Sequence, residues 1–349
     1  LKHVLQTYPI HLEHLDHNTI RYFYQAAAKH PNRPAIIEKS RRITFAELTD
    51  DVKDAANRLQ AAGIRPGDRV LVFVPISIDL YKTVLALFHC GAVAVFAEEW
   101  ADRKKLAEYL QIANCKAIVS TGKILLLASI FSKSIRKIPL KINTKKFSVF
   151  GFQFPVFKFK IVFPRCGISL RSASQKPKPP LPIELKTENR EPKTFEEALV
   201  TFTTGSTGTP KAANRTHGFL RQQLNALLPV IYGEQATLET LAVADDDVDM
   251  TLLPIVLLIN LAIGRTSVLA DFNPRKPQTF EPAAVWQQIE QQQVTSLTAA
   301  PYYVEKFADF CLKRTAATSI RKIFCGGSTI FPAAAQKISQ AFPRAEIHF

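Results

Sequence analysis

The run Ala198-Leu-Val-Thr-Phe-Thr-Thr-Gly-Ser-Thr-Gly-Thr-Pro-Lys211 leads an apolar strand straight into a turn of hydroxyls and glycines that ends in a lysine. Residues of these types at this spacing make a phosphate cradle. Gly205 and Gly208 lack the Cβ atoms that block close approach of the backbone, and they tolerate a tight loop. Successive N–H groups can then point at one anion. Thr203, Thr204, Ser206, Thr207 and Thr209 add hydroxyl donors, and Lys211 adds a mobile point charge for phosphate oxygens. The spacing excludes two commoner loops. Pro210, not a glycine, precedes the lysine, so this is no Walker-type loop, and no Gly-x-Gly-x-x-Gly occurs anywhere in the chain. A Ser/Thr/Gly-rich surface turn is the alternative reading of the composition. The strand in front of the turn favours the cradle.

The run resembles the signature of the AMP-forming adenylating enzymes, the family of acyl-CoA synthetases, luciferases and peptide-synthetase adenylation domains. Other segments agree in order. Arg42-Ile-Thr-Phe-Ala-Glu-Leu48, then Gly63-Ile-Arg-Pro-Gly-Asp-Arg-Val70, is similar to the family's opening, and Leu85 to Val95 is similar to its next block. Val294 to Pro301 looks like the strand ending in a proline beside the acyl pocket, and Cys325-Gly-Gly-Ser328 looks like the glycine pair against which adenine lies. The resemblance implies a two-step activation. A carboxylate attacks the α-phosphate of ATP, pyrophosphate leaves, and a second nucleophile, commonly coenzyme A, captures the acyl adenylate. It implies that Thr203, Thr204, Gly205, Ser206, Thr207, Gly208 and Lys211 hold phosphates shared with Mg²⁺, with no protein metal cluster assigned. It also implies that Gly326, Gly327 and Ser328 bound the adenine. His217 falls where the family often carries a histidine near the carboxylate, and a polar residue at a helix start is the alternative there.

The elements that must position these residues are legible without the family. Apolar residues at 45, 48, 52, 55, 56 and 59 keep helical spacing, and Val70 to Val74 is a continuous apolar run bounded by a Gly-Asp turn and Pro75. Helix over 80–90, strand over 92–96, helix over 102–113 and strand over 116–120 follow. After Lys211 the pattern predicts helices near 216–229, 283–292 and 333–341, with strands near 250–253, 266–270, 295–299 and 322–325. Leu252 to Ile263 reads as a buried core helix, too short to span a membrane. Strands apolar on both faces alternating with helices imply an α/β fold of parallel sheets. The expectation is two parallel-sheet α/β subdomains of an adenylate-forming large domain, truncated at the C-terminus. The first spans 1–171 with a basic, Phe-rich insertion at about 121–171, a linker spans 172–194, and the second spans 195–349. The linker holds five prolines between Ser172 and Thr194.

Charge is concentrated. Of the net +15, the segment Thr121 to Lys193 contributes +13, from sixteen lysines and arginines against three glutamates. Its phenylalanines at 147, 150, 152, 154, 157, 159 and 163 alternate as in strands with one apolar face. Such a segment suits single-stranded nucleic acid, anionic lipid or an acidic carrier protein. No nucleic-acid motif accompanies it, so no nucleic acid is expected. Peripheral membrane or carrier-protein contact stays open beside the plain reading of an insertion with a basic solvent side. Five scattered cysteines, at 90, 115, 166, 311 and 325, fit a reducing cytosol and a cytoplasmic location. Cys90 and Cys325 read as small core residues. His11, His14 and His17 lack a fourth ligand, and no zinc is expected.

Departures from the family refine the expectation. Ala212-Ala213 stands where many members have a glycine, and Leu252-Leu-Pro-Ile-Val-Leu-Leu-Ile259 is wholly aliphatic where many show a histidine after the proline. The aliphatic run points to a carboxylic acid with an apolar chain, as in the branch of fatty-acyl ligases and β-lactone synthetases. The sequence has Met250 as its sole methionine and closes at Phe349, before the family's metal-binding glutamate, ribose-binding aspartate and C-terminal lysine. The expectation is an incomplete enzyme, inactive by itself. A truncated, non-catalytic module that binds nucleotide or a partner is the alternative.

Overall fold

The computed structural model describes residues 17–97, 103–122, 124–125, 133–144, 148–149, 196–204, 210–273, 276–314 and 318–349. Helix α1 (Ile20–Lys29) comes first, followed by strands β1 (Pro34–Glu38) and β2 (Arg41–Thr44) and helix α2 (Phe45–Ala61). A capping box starts α2: the Thr44 hydroxyl accepts from Glu47 N at 3.2 Å, while Glu47 Oε2 accepts from Thr44 N at 2.8 Å. The Pro66-Gly67-Asp68 turn then sets β3 (Arg69–Phe73) in place. Gly67 takes φ +80° and donates to Gly91 O at 2.8 Å, and Asp68 Oδ2 accepts from Lys116 Nζ at 2.6 Å. Next come α3 (Ile78–His89), β4 (Val93–Phe96), α4 (Arg103–Ala113), β5 (Ala117–Ser120), the short α5 (Lys133–Arg136), β6 (Leu140–Asn143) and β7 (Ser148–Val149). The second part of the chain gives β8 (Glu197–Thr204), β9 (Pro210–Thr216), α6 (His217–Tyr232), β10 (Val248–Thr251), α7 (Pro254–Ile263) and β11 (Thr266–Leu269). It ends with α8 (Pro282–Gln291), β12 (Ser296–Ala299), α9 (Pro301–Cys311), β13 (Lys322–Cys325), α10 (Pro332–Ala341) and β14 (Glu346–His348).

Among the described residues the strands form two seven-stranded sheets, ordered β14-β13-β12-β10-β11-β1-β2 and β7-β6-β5-β3-β4-β8-β9. Neighbours pair in parallel except for the antiparallel pairs β1–β2, β6–β7 and β8–β9. The α/β expectation holds, and the helices of the motif-bearing segments fall within a few residues of their expected bounds. Sheet membership cuts across the division of the chain expected at 172–194. β1 pairs with β11, Ile37 beside Val268, and β8 pairs with β4, Val200 beside Val95. Each sheet therefore borrows strands from the other part of the chain. Parallel pairing needs a crossover but sets no limit on its length.

Among the described residues, three of four apolar clusters fill a helix–sheet–helix–sheet–helix stack. The central one joins Ile36 and Leu269 of one sheet to Val70 and Ala94 of the other through α1, α2, α3 and α7. A second packs α8, α9 and α10 onto the outer face of the first sheet, with Trp286, Phe307 and Ile338 buried. A third packs Tyr109 of α4 against Phe202, ring centroids 4.6 Å apart. Cys90 and Cys325 are buried in this core, where loss of solvation pushes their thiols up to about 12 and about 11. No described helix is long and apolar enough to cross a membrane. Most of the basic, Phe-rich segment, including the whole of 150–195, lies outside the described residues.

Candidate functional site

The hydroxyl- and glycine-rich run sits at the bend of the β8–β9 hairpin. Pairing is regular up to the bend, with Thr201 beside Ala213, Phe202 beside Ala212, Thr203 beside Lys211 and Thr204 beside Pro210. Residues 205–209 join the two strands, so Gly205, Ser206, Thr207 and Gly208 lie outside the described residues. Thr203, Thr204 and Lys211 are placed by backbone alone, at the mouth of the bend. β8 is buried on both faces through Leu199, Val200 and Phe202, which fixes its depth. Its far end is clamped. Arg69 meets Glu197 side-on through one guanidinium edge, Nη2 donating to Oε1 and to Oε2 at 2.9 Å and Nε to Oε2 at 3.1 Å, and Asn214 Nδ2 donates to Glu197 Oε1 at 2.6 Å. Three strands are thereby tied together behind the bend.

Sequence patterning misses β9. It expects the helix near 216–229, where α6 lies, but assigns no strand to the seven residues before it, which run back along β8. Pro210 and the polar residues Asn214, Arg215 and Thr216 give no apolar alternation. A proline is tolerated at the first residue of an edge strand.

His217 opens α6. Thr216 caps the helix, its hydroxyl accepting from Phe219 N at 3.0 Å, and His217 N donates to Glu196 O at 2.8 Å. The imidazole is buried, stacked edge-on against Phe88 at 5.1 Å, with Nδ1 accepting from Thr19 N at 3.3 Å and lying 3.0 Å from Thr19 Oγ1. Burial pushes its pKa down to about 4. At neutral pH the ring is uncharged, and because Nδ1 accepts, its proton resides on Nε2. Thr19 is the partner that sequence reasoning misses, since it stands 198 residues away.

Thr19 and Phe88 also line a small apolar cavity of about 40 Å³ between α1, α3, α6 and α7, closed by Leu224, Ile255, Leu258 and Ile259 among others. The aliphatic segment thus presents one face to this cavity, while its Leu257 and Leu261 join the central core. Its one polar residue turns away. Asn260 donates to Asp249 Oδ2 at 2.8 Å and to Ser267 Oγ at 3.0 Å, within a buried network completed by Arg265, Asp247 and Ser296.

Gly326, Gly327 and Ser328 follow β13. In the parallel sheet the carboxyl ends of β10, β12 and β13 lie at one edge, Thr251 level with Thr298 and Ala299 with Cys325. Ligands of open α/β sheets bind beyond that edge. Gly326 N donates to Ala299 O at 3.2 Å, Gly327 takes φ +89°, and a Cβ built on either would meet nothing within 4 Å. The pair therefore opens onto free space where a flat ring can approach the backbone. Among the described residues no group of three or more His, Cys, Asp or Glu is arranged to hold a metal ion.

The profile of the AMP-binding enzymes matches residues 23–348. A feruloyl-CoA synthase of Amycolatopsis sp is 26% identical over 302 residues, covering 86% of this chain and 52% of its own. Acetyl-coenzyme A synthetase 1 of Debaryomyces hansenii is 28% identical over 301 residues, covering 79% and 40%. The chain spans about half the length of these curated relatives. Among solved structures, Mycobacterium smegmatis MbtA superposes with a TM-score of 0.67 at 21% identity, over 94% of this chain and 55% of that one. O-succinylbenzoate coenzyme A synthetase from Bacillus subtilis, in complex with AMP, superposes at 0.64 with 19% identity, over 93% and 71%. These likenesses show the fold.

Proposed function

The chain belongs to the AMP-binding enzyme family, and on that premise we propose that it serves the ATP-dependent activation of a carboxylic acid as its acyl adenylate, with coenzyme A as the acceptor that follows. The observation that carries the proposal is the β8–β9 hairpin, which sets Thr203 opposite Lys211 at the two ends of the hydroxyl- and glycine-rich bend. ATP enters as its magnesium complex, the metal riding on phosphate oxygens, and no ligand for it is assigned to this chain. Attack by an anion on a polyanion demands donors and cations where negative charge accumulates. Thr203, Thr204, Gly205, Ser206, Thr207, Gly208 and Lys211 supply them to the β- and γ-phosphates. A carboxylate oxygen of the acid then bonds to the α-phosphorus as the bond to the β-phosphate oxygen breaks, and pyrophosphate carries away the electron pair. Gly326, Gly327 and Ser328 bound the adenine, and His217, neutral with Nε2–H, is the donor nearest the acid.

The acid itself has an apolar chain in this reading. The relatives' names carry one aromatic and one two-carbon acyl group, so the class rests on this chain's own residues. Ile255, Leu258 and Ile259 line the small cavity beside Thr19 and Phe88, and hydrocarbon of this kind offers a polar acyl group no partner. The test is acid-dependent ATP–pyrophosphate exchange in the full-length protein. Lys211→Ala should slow exchange by about tenfold to a thousandfold, since one charge-assisted contact to developing charge is worth a few kcal/mol. Medium or long acyl chains should outcompete acetate, each buried methylene contributing about 0.8 kcal/mol at most. Wild-type exchange in Lys211→Ala sinks the loop assignment. Preference for acetate sinks the apolar chain.

A further inference from the structure

Thr19 stands at the N-cap of α1, yet its hydroxyl makes no capping bond to that helix, and its own backbone is already helical at φ −65° and ψ −15°. A threonine in this place ordinarily accepts from an N–H of the first turn. Asn18 takes that part instead, its Oδ1 accepting from Ile20 N at 3.0 Å. The Thr19 hydroxyl is turned to His217, Oγ1 lying 3.0 Å from Nδ1, and Thr19 N donates to the same nitrogen at 3.3 Å. Two groups of one residue thus converge on one ring nitrogen.

The place of Thr19 is itself fixed. Asn18 is buried and donates from Nδ2 to Phe88 O at 2.5 Å, which ties the start of α1 to α3. The Phe88 ring closes the circuit, packed edge-on against the imidazole with centroids 5.1 Å apart. His217 is only 3% exposed, and its backbone is held from another side, where His217 N donates to Glu196 O. Turning the imidazole away from Thr19 would cost both contacts to Nδ1 and the packing on Phe88. A backbone N–H only donates, so Nδ1 must accept, and the Thr19 hydroxyl, which can do either, donates to the same nitrogen. A ring protonated at Nδ1 would set N–H against N–H.

We propose that Thr19 is a positioning residue for the activation step: its N–H and hydroxyl together hold Nδ1 of His217 as an acceptor, and so keep the proton of the ring on Nε2, the nitrogen left to donate to the carboxylate. This rests on the reading of His217 as the donor nearest the acid. Which ring nitrogen carries the proton is set by the hydrogen bond the other one makes. Thr19 and Phe88 also line the small apolar cavity, so the residue that orients the donor borders the hydrocarbon that the acyl chain meets in that reading.

The experiment pairs two readouts on wild type, Thr19→Val, Thr19→Ser and His217→Phe, with a thermal melt of each. One is the ring-nitrogen resonances of His217 in isotope-labelled protein, assigned by their loss in His217→Phe. The other is acid-dependent ATP–pyrophosphate exchange in the full-length protein. Wild type should show a proton-bearing Nε2 and a proton-free Nδ1. Thr19→Val keeps the shape and loses the hydroxyl. It should move the Nδ1 signal toward that of mixed tautomers and slow exchange by about twofold to tenfold at unchanged KM for ATP, as expected for loss of one net hydrogen bond. Thr19→Ser, which restores the hydroxyl, should match wild type in both readouts. A proton on Nδ1 in wild type overturns the proposal, since the hydroxyl is then an acceptor. An unmoved Nδ1 signal in Thr19→Val overturns it too, because a slower rate without that change marks Thr19 as structural. If Thr19→Val exchanges like wild type while His217→Phe is slow, the role of Thr19 is overturned and His217 stands as the donor. Wild-type exchange in His217→Phe overturns both. Should Thr19→Val fail to fold, Thr19→Ala takes its place with the same outcomes.

Discussion

His217 and His89 are imidazoles taken out of water, and both are pushed down to about 4 from an ordinary 6.5, chiefly by burial. His89 Nδ1 meets the Tyr24 hydroxyl at 2.7 Å, and His217 Nδ1 faces Thr19. Each is therefore neutral when folded and protonated when unfolded between pH 4 and 6.5. The unfolded state binds more protons there, so stability falls as pH drops from 6.5 toward 4 and is fully retained above 6.5. The slope is at most about 1.4 kcal/mol per pH unit for each ring, roughly 3 kcal/mol across the window. Urea unfolding at pH 7, 5.5 and 4.5 should show this loss, and His217→Gln should flatten it by the share of one ring. An unaltered slope in that variant means the ring is already protonated in the folded protein. At this scale the residue types of the bend, and the apolar strand that leads into it, were legible in the sequence. The contact between Thr19 and His217 was not, because it joins residues 198 apart that only folding brings together.

Helix α7 shows what holds an element in place once its apolar pattern has made it. Gly264 follows its last turn at φ +84° and donates to Asn260 O, a left-handed cap that favours glycine. The backbone also has a neighbour. A Cβ at this position would lie 2.8 Å from His30 Cδ2 and 3.5 Å from Ala26 Cβ, at the end of α1. Gly264→Ala should therefore cost about 1–3 kcal/mol, from the left-handed backbone and from displacing His30. A double variant with His30→Ala should recover the second part but not the first. If the single variant unfolds in urea like wild type, α1 and α7 are not in contact at Gly264. Elements with strong apolar runs, such as α3 and β12, could be read within about two residues. β9 could not, because it is an edge strand whose stability comes from pairing with β8 and not from its own composition.

At the scale of the molecule, the order of strands along the chain was legible and their assignment to sheets was not. Alternating strands and helices announce parallel sheets, but nothing in residues 34–44 announces that they join a sheet otherwise built from residues 248–348. Pairing across more than 200 residues is decided by which apolar faces the whole chain can bury together. The consequence is mechanical. Ile36 is fully buried, sits between Ser267 and Ile43 in one sheet, and belongs to the same apolar cluster as Val70 and Ala94 of the other. Ile36→Ala leaves a cavity in the layer shared by both sheets and should cost about 2–5 kcal/mol. Because the layer is shared, amide hydrogen exchange in β4 and in β12 should speed up together in this variant, although Ile36 pairs with neither strand. Protection that fell in β12 while holding in β4 would show two units that open independently. Joint loss means that the hairpin carrying Lys211 and the glycine pair after β13 are held by one cooperative core.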